Sequence, residues 1–233
     1  MRREKILNEL YELKDEKYRE FNIKLIPNIR EDKIIGVRIP MIRKFAKTLL
    51  KEKVDIADLL TTKDQLFYEE KLLLAYMIGY KKQEFESWKN LVEAFVPLID
   101  NWSVCDGACS TMKIANIYQE ETWELIQKYL EDTREYYIRF GVVMLMNYYL
   151  NDKYIKEALE KLTKVKTDDY YAMMAVAWAV SVAFVKYQDL TFEIIKNNQL
   201  DLVTHNKAIQ KIRESYRVSK EIKDELLKYK RRD

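Results

Sequence analysis

The chain has 233 residues, of which 48% are hydrophobic and 34% are charged, with only 4 Gly and 3 Pro. A chain of this size and composition buries roughly 70% of its unfolded surface, which excludes an intrinsically disordered protein. The formal net charge is only +3, and the single histidine argues against a histidine metal site or a Ser-His-Asp triad.

The apolar segments and the N-terminus disfavour two further classes of protein. Charges such as Arg139 and Lys186 interrupt the apolar stretches, so no run approaches the roughly 18 residues of a membrane span. The first five residues read Met-Arg-Arg-Glu-Lys and do not lead into the apolar core of a signal peptide. We expect a cytoplasmic protein, in which Cys105 and Cys109 are two small buried residues on one helix.

The predicted elements are helices throughout, because apolar residues recur with a 3.6-residue period and no stretch alternates over strand length. Pro40 suits the first turn of a helix, and Asp168 and Thr204 are predicted N-caps. In chain order the predicted helices are 2–14, 16–26, 40–51, 56–61, 66–80, 84–97, 102–118, 122–131, 135–150, 153–162, 168–187, 190–197, 204–216 and 219–230.

A repeat of 34 residues organises these helices. The residues that open five apolar helical stretches share this spacing: Tyr68, Trp102, Tyr136, Tyr170 and Thr204. Such a period is typical of stacked helix pairs that form a solenoid with an extended concave surface. We therefore predict one repeat domain over residues 1–233.

Two stripes run along the repeated helices. Offsets 5 and 6 from each opening residue are mostly small or apolar and predict a packing face: Leu73, Leu74, Gly107, Ala108, Gly141, Val142, Ala175, Val176 and Ile209. Offsets 0, 3, 4, 7, 8 and 11 carry a second, polar stripe: Lys71, Trp102, Asp106, Lys113, Arg139, Asn147, Trp178, Ser181, Lys207 and Lys211. An unpaired buried polar group costs roughly 2 to 7 kcal/mol, so these side chains should line a groove.

The charges of the polar stripe and of the C-terminal segment suit a phosphate backbone. From Thr204 onward, ten basic residues face five acidic ones. A solvated cap at the end of a repeat array is the alternative explanation of this excess. The predicted phosphate-binding residues are Lys71, Lys113, Lys207, Lys211, Arg213 and Arg217.

Several motifs in this order carry a resemblance to a known family. Residues 99–106 read Ile-Asp-Asn-Trp-Ser-Val-Cys-Asp, Arg139 follows Tyr-Tyr-Ile, and Trp178 follows Ala-Val-Ala. Together with residues 36–40 and 205–217, these segments resemble the AlkD family of alkylpurine DNA glycosylases, which is built of HEAT-like repeats. The resemblance covers nearly the whole chain.

The resemblance implies a fold and a role for four residues. The fold would be an all-α, right-handed superhelix of antiparallel helix pairs with a concave DNA-binding face. Asp106 matches the catalytic carboxylate, Trp102 and Trp178 match aromatic residues that pack against the deoxyribose and backbone, and Arg139 matches an arginine that contacts the neighbouring phosphate. The family needs no metal, no organic cofactor and no base-binding pocket.

Each of these residues also has a structural interpretation. The two tryptophans are more often core or inter-repeat packing residues, and Asp106 suits an exposed place in the first turn of a helix. Arg139 also suits an ion pair with Asp106 or another acid that would connect neighbouring repeats.

Two other titratable sites in the sequence favour structural roles. Glu69 and Glu70 could be a general acid and base, but acidic residues in the first turn of a helix are typical of helix capping, which is the role we predict. The remaining titratable candidate, His205, is expected to be a residue of a helix start.

The leading functional hypothesis is an enzyme that acts as a monomer on double-stranded DNA. It would be a monofunctional glycosylase that releases N3-methyladenine and N7-methylguanine. The alternative is a non-catalytic repeat protein that recognises branched or distorted DNA, a branch of the family that residues 27–33 and 36–38 resemble. A third class, a helical scaffold for a protein partner, is disfavoured by the charges of the polar stripe.

Overall fold

A computed structural model describes residues 3–61 and 65–232. This part of the chain contains helices and no strand, apart from an isolated antiparallel bridge between Lys14 and Val37, so the all-α prediction is confirmed. Two compact units divide it, Met1–Tyr118 and Gln119–Asp233, and the prediction of one domain stays a prediction. The predicted start of the first helix at Arg2 lies outside the described residues.

In the first unit, alternate helices pack on one another. Its inner helices α3, α5 and α7 contact one another in that order, which is the arrangement that a helical repeat requires. The helices are α1 (Arg3–Glu12), α2 (Glu16–Leu25), α3 (Ile39–Lys51), α4 (Ile56–Leu60), α5 (Tyr68–Tyr80), α6 (Phe85–Phe95) and α7 (Trp102–Cys109), with 3-10 turns at Glu31–Lys33, Val96–Leu98 and Lys113–Asn116.

The second unit repeats this pattern. Its inner helices α9, α11 and α13 pack in succession, while α8 packs on α9, and α12 on α11. The helices are α8 (Gln119–Leu130), α9 (Glu135–Tyr148), α10 (Ile155–Lys164), α11 (Tyr170–Lys186), α12 (Gln188–Lys196), α13 (Leu202–Glu214) and α14 (Lys220–Leu226), followed by a 3-10 turn at Leu227–Tyr229. The hydroxyl of Tyr149, just after α9, donates to the carbonyl of Gln119 at the start of α8, so this pair is antiparallel.

The 34-residue period is confirmed by the helix starts. Helices α5, α7 and α11 begin at the predicted Tyr68, Trp102 and Tyr170, while α9 and α13 begin one and two residues early. The predicted packing face is buried, with the one exception of the half-buried Gly107. Among the described residues, no helix combines the length and the apolarity that crossing a membrane demands.

The predicted helix 102–118 is wrong, because α7 ends at Cys109. The hydroxyls of Ser110 and Thr111 donate to the backbone carbonyls of Gly107 and Ala108, at 2.8 and 2.9 Å. This local bonding competes with helix hydrogen bonds and favours a turn. The turn also packs on α5, where a Cβ at Gly79 would lie 2.1 Å from Thr111 Oγ1.

Two predicted N-caps are also wrong. The N-cap of α13 is Asp201, whose carboxylate accepts from the Thr204 backbone N–H at 2.9 Å, so Thr204 lies inside the helix. The N-cap of α11 is Asp169 rather than Asp168. Pro40 does lie in the first turn of α3, as predicted.

Candidate nucleic-acid interface

Helix α7 presents two predicted site residues on one face. Asn101 starts the helix, because its side-chain oxygen accepts from the Val104 N–H at 3.0 Å. The residues that point into the core are Val104, Cys105, Ala108 and Cys109, whereas the half-buried residues are Trp102, Ser103, Asp106 and Gly107. We call the latter four the open face of α7. Trp102 and Asp106 lie one helical turn apart on it.

Trp102 is not a core residue. It is half-buried, and its indole N–H donates to the carbonyl of Leu25 in the last turn of α2, at 3.2 Å. Beside it, the Ser103 hydroxyl is hydrogen-bonded to the Tyr68 hydroxyl at 2.7 Å. These two contacts fix the start of α7 and the indole plane while leaving part of the ring accessible.

Asp106 lies where a neighbouring helix comes very close. The next residue is Gly107, and a Cβ there would meet Tyr76 Oη at 3.1 Å and Leu72 Cδ2 at 3.2 Å, both on α5. The glycine therefore allows α5 and α7 to approach directly beside Asp106. The half-buried carboxylate is thus held on rigid, closely packed helices rather than on a loop.

Lys71, a predicted phosphate-binding residue, is engaged inside the protein. Its ammonium group forms an ion pair with the Asp100 carboxylate, and the Lys71 side chain is only 13% exposed. Both line a polar cleft of about 230 Å³ together with Arg30 and Lys33. Because Asp100 compensates the charge, Lys71 attracts a phosphate less than a solvated lysine does. Lys113, in contrast, is exposed in the 3-10 turn after α7.

The acidic pair Glu69 and Glu70 is structural. Glu69 is fully buried, and its carboxylate accepts from the backbone N–H groups of Ile35, Gly36 and Val37, at 2.9, 2.7 and 3.3 Å. Burial raises the pKa of this carboxyl, against the opposing effect of these donors. Glu70 instead pairs with Arg3 at 2.7 Å and accepts from the Phe67 N–H at 2.9 Å, which is the predicted capping role.

In the second unit, Arg139 is buried, with 6% of its surface exposed. From α9 its guanidinium donates to the carbonyl of Tyr171 in the first turn of α11, at 2.8 Å. Glu135, one turn earlier on α9, accepts from the N–H of the same Tyr171 at 2.7 Å. Arg139 therefore connects two neighbouring repeats through a bond to a backbone carbonyl.

Four predicted residues of the second unit meet in a cleft of about 250 Å³. Trp178 and Ser181 of α11 line it with Lys211 of α13 and with Arg217 in the following loop. We call this the Trp178 cleft. Among the described residues that line it, Glu214 is the one carboxylate, so the two cations outnumber it. A half-buried indole beside two cations matches what a sugar-phosphate backbone needs.

Two other basic residues of the C-terminal segment, Lys207 and Arg213, do not line the Trp178 cleft. The Lys207 ammonium donates to the Gln210 side chain at 3.2 Å and stays on the surface of α13. Arg213 turns away from the cleft, because its Nε donates to the carbonyl of Lys223 in α14 at 3.1 Å. His205 is buried, and its Nε2 is hydrogen-bonded to the Tyr229 carbonyl at 2.8 Å.

Sequence reasoning missed two cations of the first unit. Arg43 and Lys47 of α3 lie over the rings of Tyr76 and Tyr80 of α5, at 4.8 and 5.1 Å from the ring centroids. Each cation precedes its tyrosine by 33 residues, whereas the repeat is 34 residues long, so extending the polar stripe one unit toward the N-terminus reaches neither of them. Within the part of the chain that the structure describes, no group of three or more His, Cys, Asp or Glu is placed to hold a metal ion.

Comparison with known proteins gave one finding. A family model described as DNA alkylation repair enzyme matches residues 6–212 of the chain. Neither the curated proteins nor the solved structures contained a significant match. The matched range includes α7, α9 and α11 entirely and all but the last two residues of α13.

Proposed function

The chain belongs to the family of DNA alkylation repair enzymes, and from that premise we propose that it is a monofunctional DNA glycosylase. It hydrolyses the N-glycosidic bond of cationic alkylated purines, N3-methyladenine and N7-methylguanine, in duplex DNA. The protein acts as a monomer in the cytoplasm and uses neither a metal nor an organic cofactor. The observation that supports this most is the pairing of Trp102 with Asp106 on the open face of α7.

The proposed reaction needs one well-placed carboxylate. A methylated purine already carries a positive charge, so the C1′–N bond breaks with the neutral base as leaving group, and positive charge develops on the sugar. A carboxylate about 4 Å away stabilises that charge by about 4 kcal/mol at an effective dielectric constant near 20. This corresponds to roughly a thousandfold in rate. Asp106 is the residue that we assign to this role.

Water completes the reaction. Its oxygen forms the new bond to C1′, and one of its protons passes to the Asp106 carboxylate as general base. The Trp102 ring packs against the deoxyribose beside the reacting bond, where its anchored N–H keeps it in one orientation. Because the leaving group carries its own activation, no acid that protonates the base is required.

The Trp178 cleft is proposed to bind the DNA backbone. Lys211 and Arg217 supply charge for a phosphate, and Trp178 supplies an apolar surface for a deoxyribose. Arg139 enters this proposal as the residue that fixes the start of the helix carrying Trp178, through its bond to Tyr171. Lys113 and Lys207 remain further candidates for phosphate contacts.

Two observations favour a second candidate function, the non-catalytic recognition of branched or distorted DNA. Lys71 is compensated by Asp100, and Arg139 is occupied by a backbone carbonyl. Fewer phosphate contacts mean weaker binding to a linear duplex. Under this alternative, salt-sensitive binding to a four-way junction exceeds binding to a linear duplex of equal length, and no base is released.

Base release from methylated DNA tests the proposal. Wild type is incubated with N-methylpurine-containing duplex DNA, and free N3-methyladenine and N7-methylguanine are quantified together with alkali-labile abasic sites. Asp106→Asn should lower the rate by about a thousandfold while duplex binding is retained. Loss of base release with unchanged binding would assign a catalytic role to the carboxylate.

Asp100→Asn is the matched control. It makes the same substitution six residues earlier, at a carboxylate that pairs with Lys71, and we expect it to retain base release. The glycosylase proposal fails if wild type releases neither base, and the role assigned to Asp106 fails if the two variants have equal activity. A protein scaffold, the third class, would show no salt-sensitive DNA binding at all.

A further inference from the structure

Two cations of α3 are held over two stacked tyrosine rings of α5. Arg43 lies over Tyr76 and Lys47 lies over Tyr80, and the two rings have centroids 6.2 Å apart and planes inclined by 20°. Arg43 and Lys47 are one helical turn apart on α3, as Tyr76 and Tyr80 are on α5. The four side chains therefore form two parallel cation-ring pairs across adjacent inner helices.

The first of these pairs leads directly to the open face of α7. The Tyr76 hydroxyl lies against Gly107, the residue after Asp106. The Arg43 guanidinium donates from Nη2 to the hydroxyl of Ser110, one turn beyond Asp106, at 3.3 Å. A continuous row of side chains thus crosses three stacked helices of the first unit and ends beside the proposed catalytic carboxylate.

The charges of this row are available to a ligand. Within the described residues, neither Arg43 nor Lys47 forms an ion pair with a carboxylate, in contrast to Lys71 with Asp100. A guanidinium has five donors; in Arg43, Nη2 donates to the neutral Ser110 hydroxyl and Nε is buried, so a ligand would meet the terminal nitrogens. A ring face orients a cation without neutralising it. Lys47 is exposed, and its ring contact restricts where the ammonium group lies.

We propose that Arg43 and Lys47 bind phosphates of the DNA strand and so extend the nucleic-acid interface from α7 across α5 to α3. This inference rests on the proposed function, because it takes DNA as the ligand. Arg43 binds the phosphate nearer Asp106, and Lys47 binds a phosphate farther from it. Both act as binding residues, and neither takes part in bond cleavage.

Salt-dependent duplex binding tests this proposal. Lys47→Gln is compared with Lys44→Gln, at a lysine of the same helix that is also exposed and makes no ring contact or ion pair in the described part of the chain. Each lost phosphate contact reduces the magnitude of the slope of the log binding constant against log salt concentration by about 0.9. Between 50 and 200 mM salt, the affinity of Lys47→Gln should therefore fall about three- to fourfold less than that of wild type. The slope of Lys44→Gln should equal that of wild type.

Arg43 is tested with two substitutions. Arg43→Gln should lower the salt slope as Lys47→Gln does, and Arg43→Lys should restore most of it, because a charge over the ring is kept. Thermal unfolding of each variant separates binding from folding. If Arg43→Gln unfolds early, Lys47→Gln still decides, since the Lys47 side chain is exposed and contacts one tyrosine ring.

The inference is overturned if Lys47→Gln and Lys44→Gln have equal slopes, or if wild type shows no salt-dependent binding. Its failure is distinguishable from failure of the proposed chemistry. A wild type that releases no base but loses slope on Lys47→Gln refutes the glycosylase and supports the phosphate contact. If wild type releases base and Lys47→Gln has the salt slope of wild type, the glycosylase is supported and the phosphate contact is refuted.

Discussion

Arg139 and Glu135 hold the backbone of Tyr171 through two hydrogen bonds. The guanidinium donates to its carbonyl at 2.8 Å and the carboxylate accepts from its N–H at 2.7 Å. Both bonds involve a charged group and so exceed an ordinary hydrogen bond in strength. Because Tyr171 lies in the first turn of α11, this arrangement sets where the helix that carries Trp178 begins.

Removing the Arg139 side chain should therefore destabilise the protein. Arg139→Ala leaves a Tyr171 carbonyl without its charged donor, and we expect the free energy of unfolding to fall by about 3 kcal/mol in urea titrations. Arg139→Lys keeps a donor and should lose less. Glu135→Gln keeps its acceptor oxygen and serves as control. An Arg139→Ala variant with the urea midpoint of wild type but weakened DNA binding would instead establish the phosphate contact that the family resemblance implies.

The burial of Arg139 also shows what a periodic pattern can predict. The 3.6-residue period correctly grouped Trp102 with Asp106, since residues four apart share a face whatever packs on it. It grouped Arg139 with them by the same rule. In α9, however, every residue from Ile138 to Met146 is buried. Whether a neighbouring helix covers a face depends on contacts between distant parts of the chain, which the period does not contain.

At the scale of elements, the register of α5 and α7 is fixed by contacts that progress along both helices. Tyr68 bonds to Ser103, Tyr76 abuts Gly107, and Gly79 abuts Thr111, so the two helices run in the same direction. The 34-residue period predicted this stacking. It did not predict the early end of α7, because that end depends on two hydroxyls that bond to carbonyls three residues back.

Two helical glycines provide a matched test of this packing. Gly79→Ala places a Cβ 2.6 Å from the Thr111 Cβ and 3.0 Å from a backbone carbon of the same residue, so α5 and the turn after α7 must move apart. We expect a loss of about 1 to 3 kcal/mol despite the better helix propensity of alanine. Gly107→Ala meets only side-chain ends of Tyr76 and Leu72, at 3.1 and 3.2 Å, and should be near neutral. Equal thermal unfolding temperatures of the two variants would contradict this assignment.

At the scale of the whole molecule, titratable groups set how stability depends on pH. A hydrogen bond from Arg134 is the main cause that lowers the pKa of Asp132 to about 2. Its contribution to stability is present above the unfolded pKa near 4 and is lost as the pH falls through 2. Glu69 has the opposite sign, because its raised pKa favours the folded state at low pH and disfavours it as the pH rises.

Between pH 7 and pH 5, the protonation of the single histidine of the chain affects stability. His205 is fully buried and its Nε2 bonds to the Tyr229 carbonyl, while its Nδ1 is buried without an acceptor among the described residues. Burial therefore lowers the pKa of His205 below its ordinary value of 6.5. Above pH 6.5 both states are neutral, and below it the unfolded chain takes up a proton that the folded chain resists.

Acidification through this window should consequently destabilise the protein. The free energy of unfolding falls by at most about 1.4 kcal/mol per pH unit, until the folded pKa is reached. Urea midpoints measured by circular dichroism at pH 7, 6 and 5 check this, with His205→Gln as a variant that keeps a donor for Tyr229 and does not titrate. The midpoint of wild type should fall from pH 7 to 5 relative to that of His205→Gln, in which only groups such as Glu69 still titrate. A wild-type midpoint that rises on acidification would mean that Glu69, rather than His205, dominates this range.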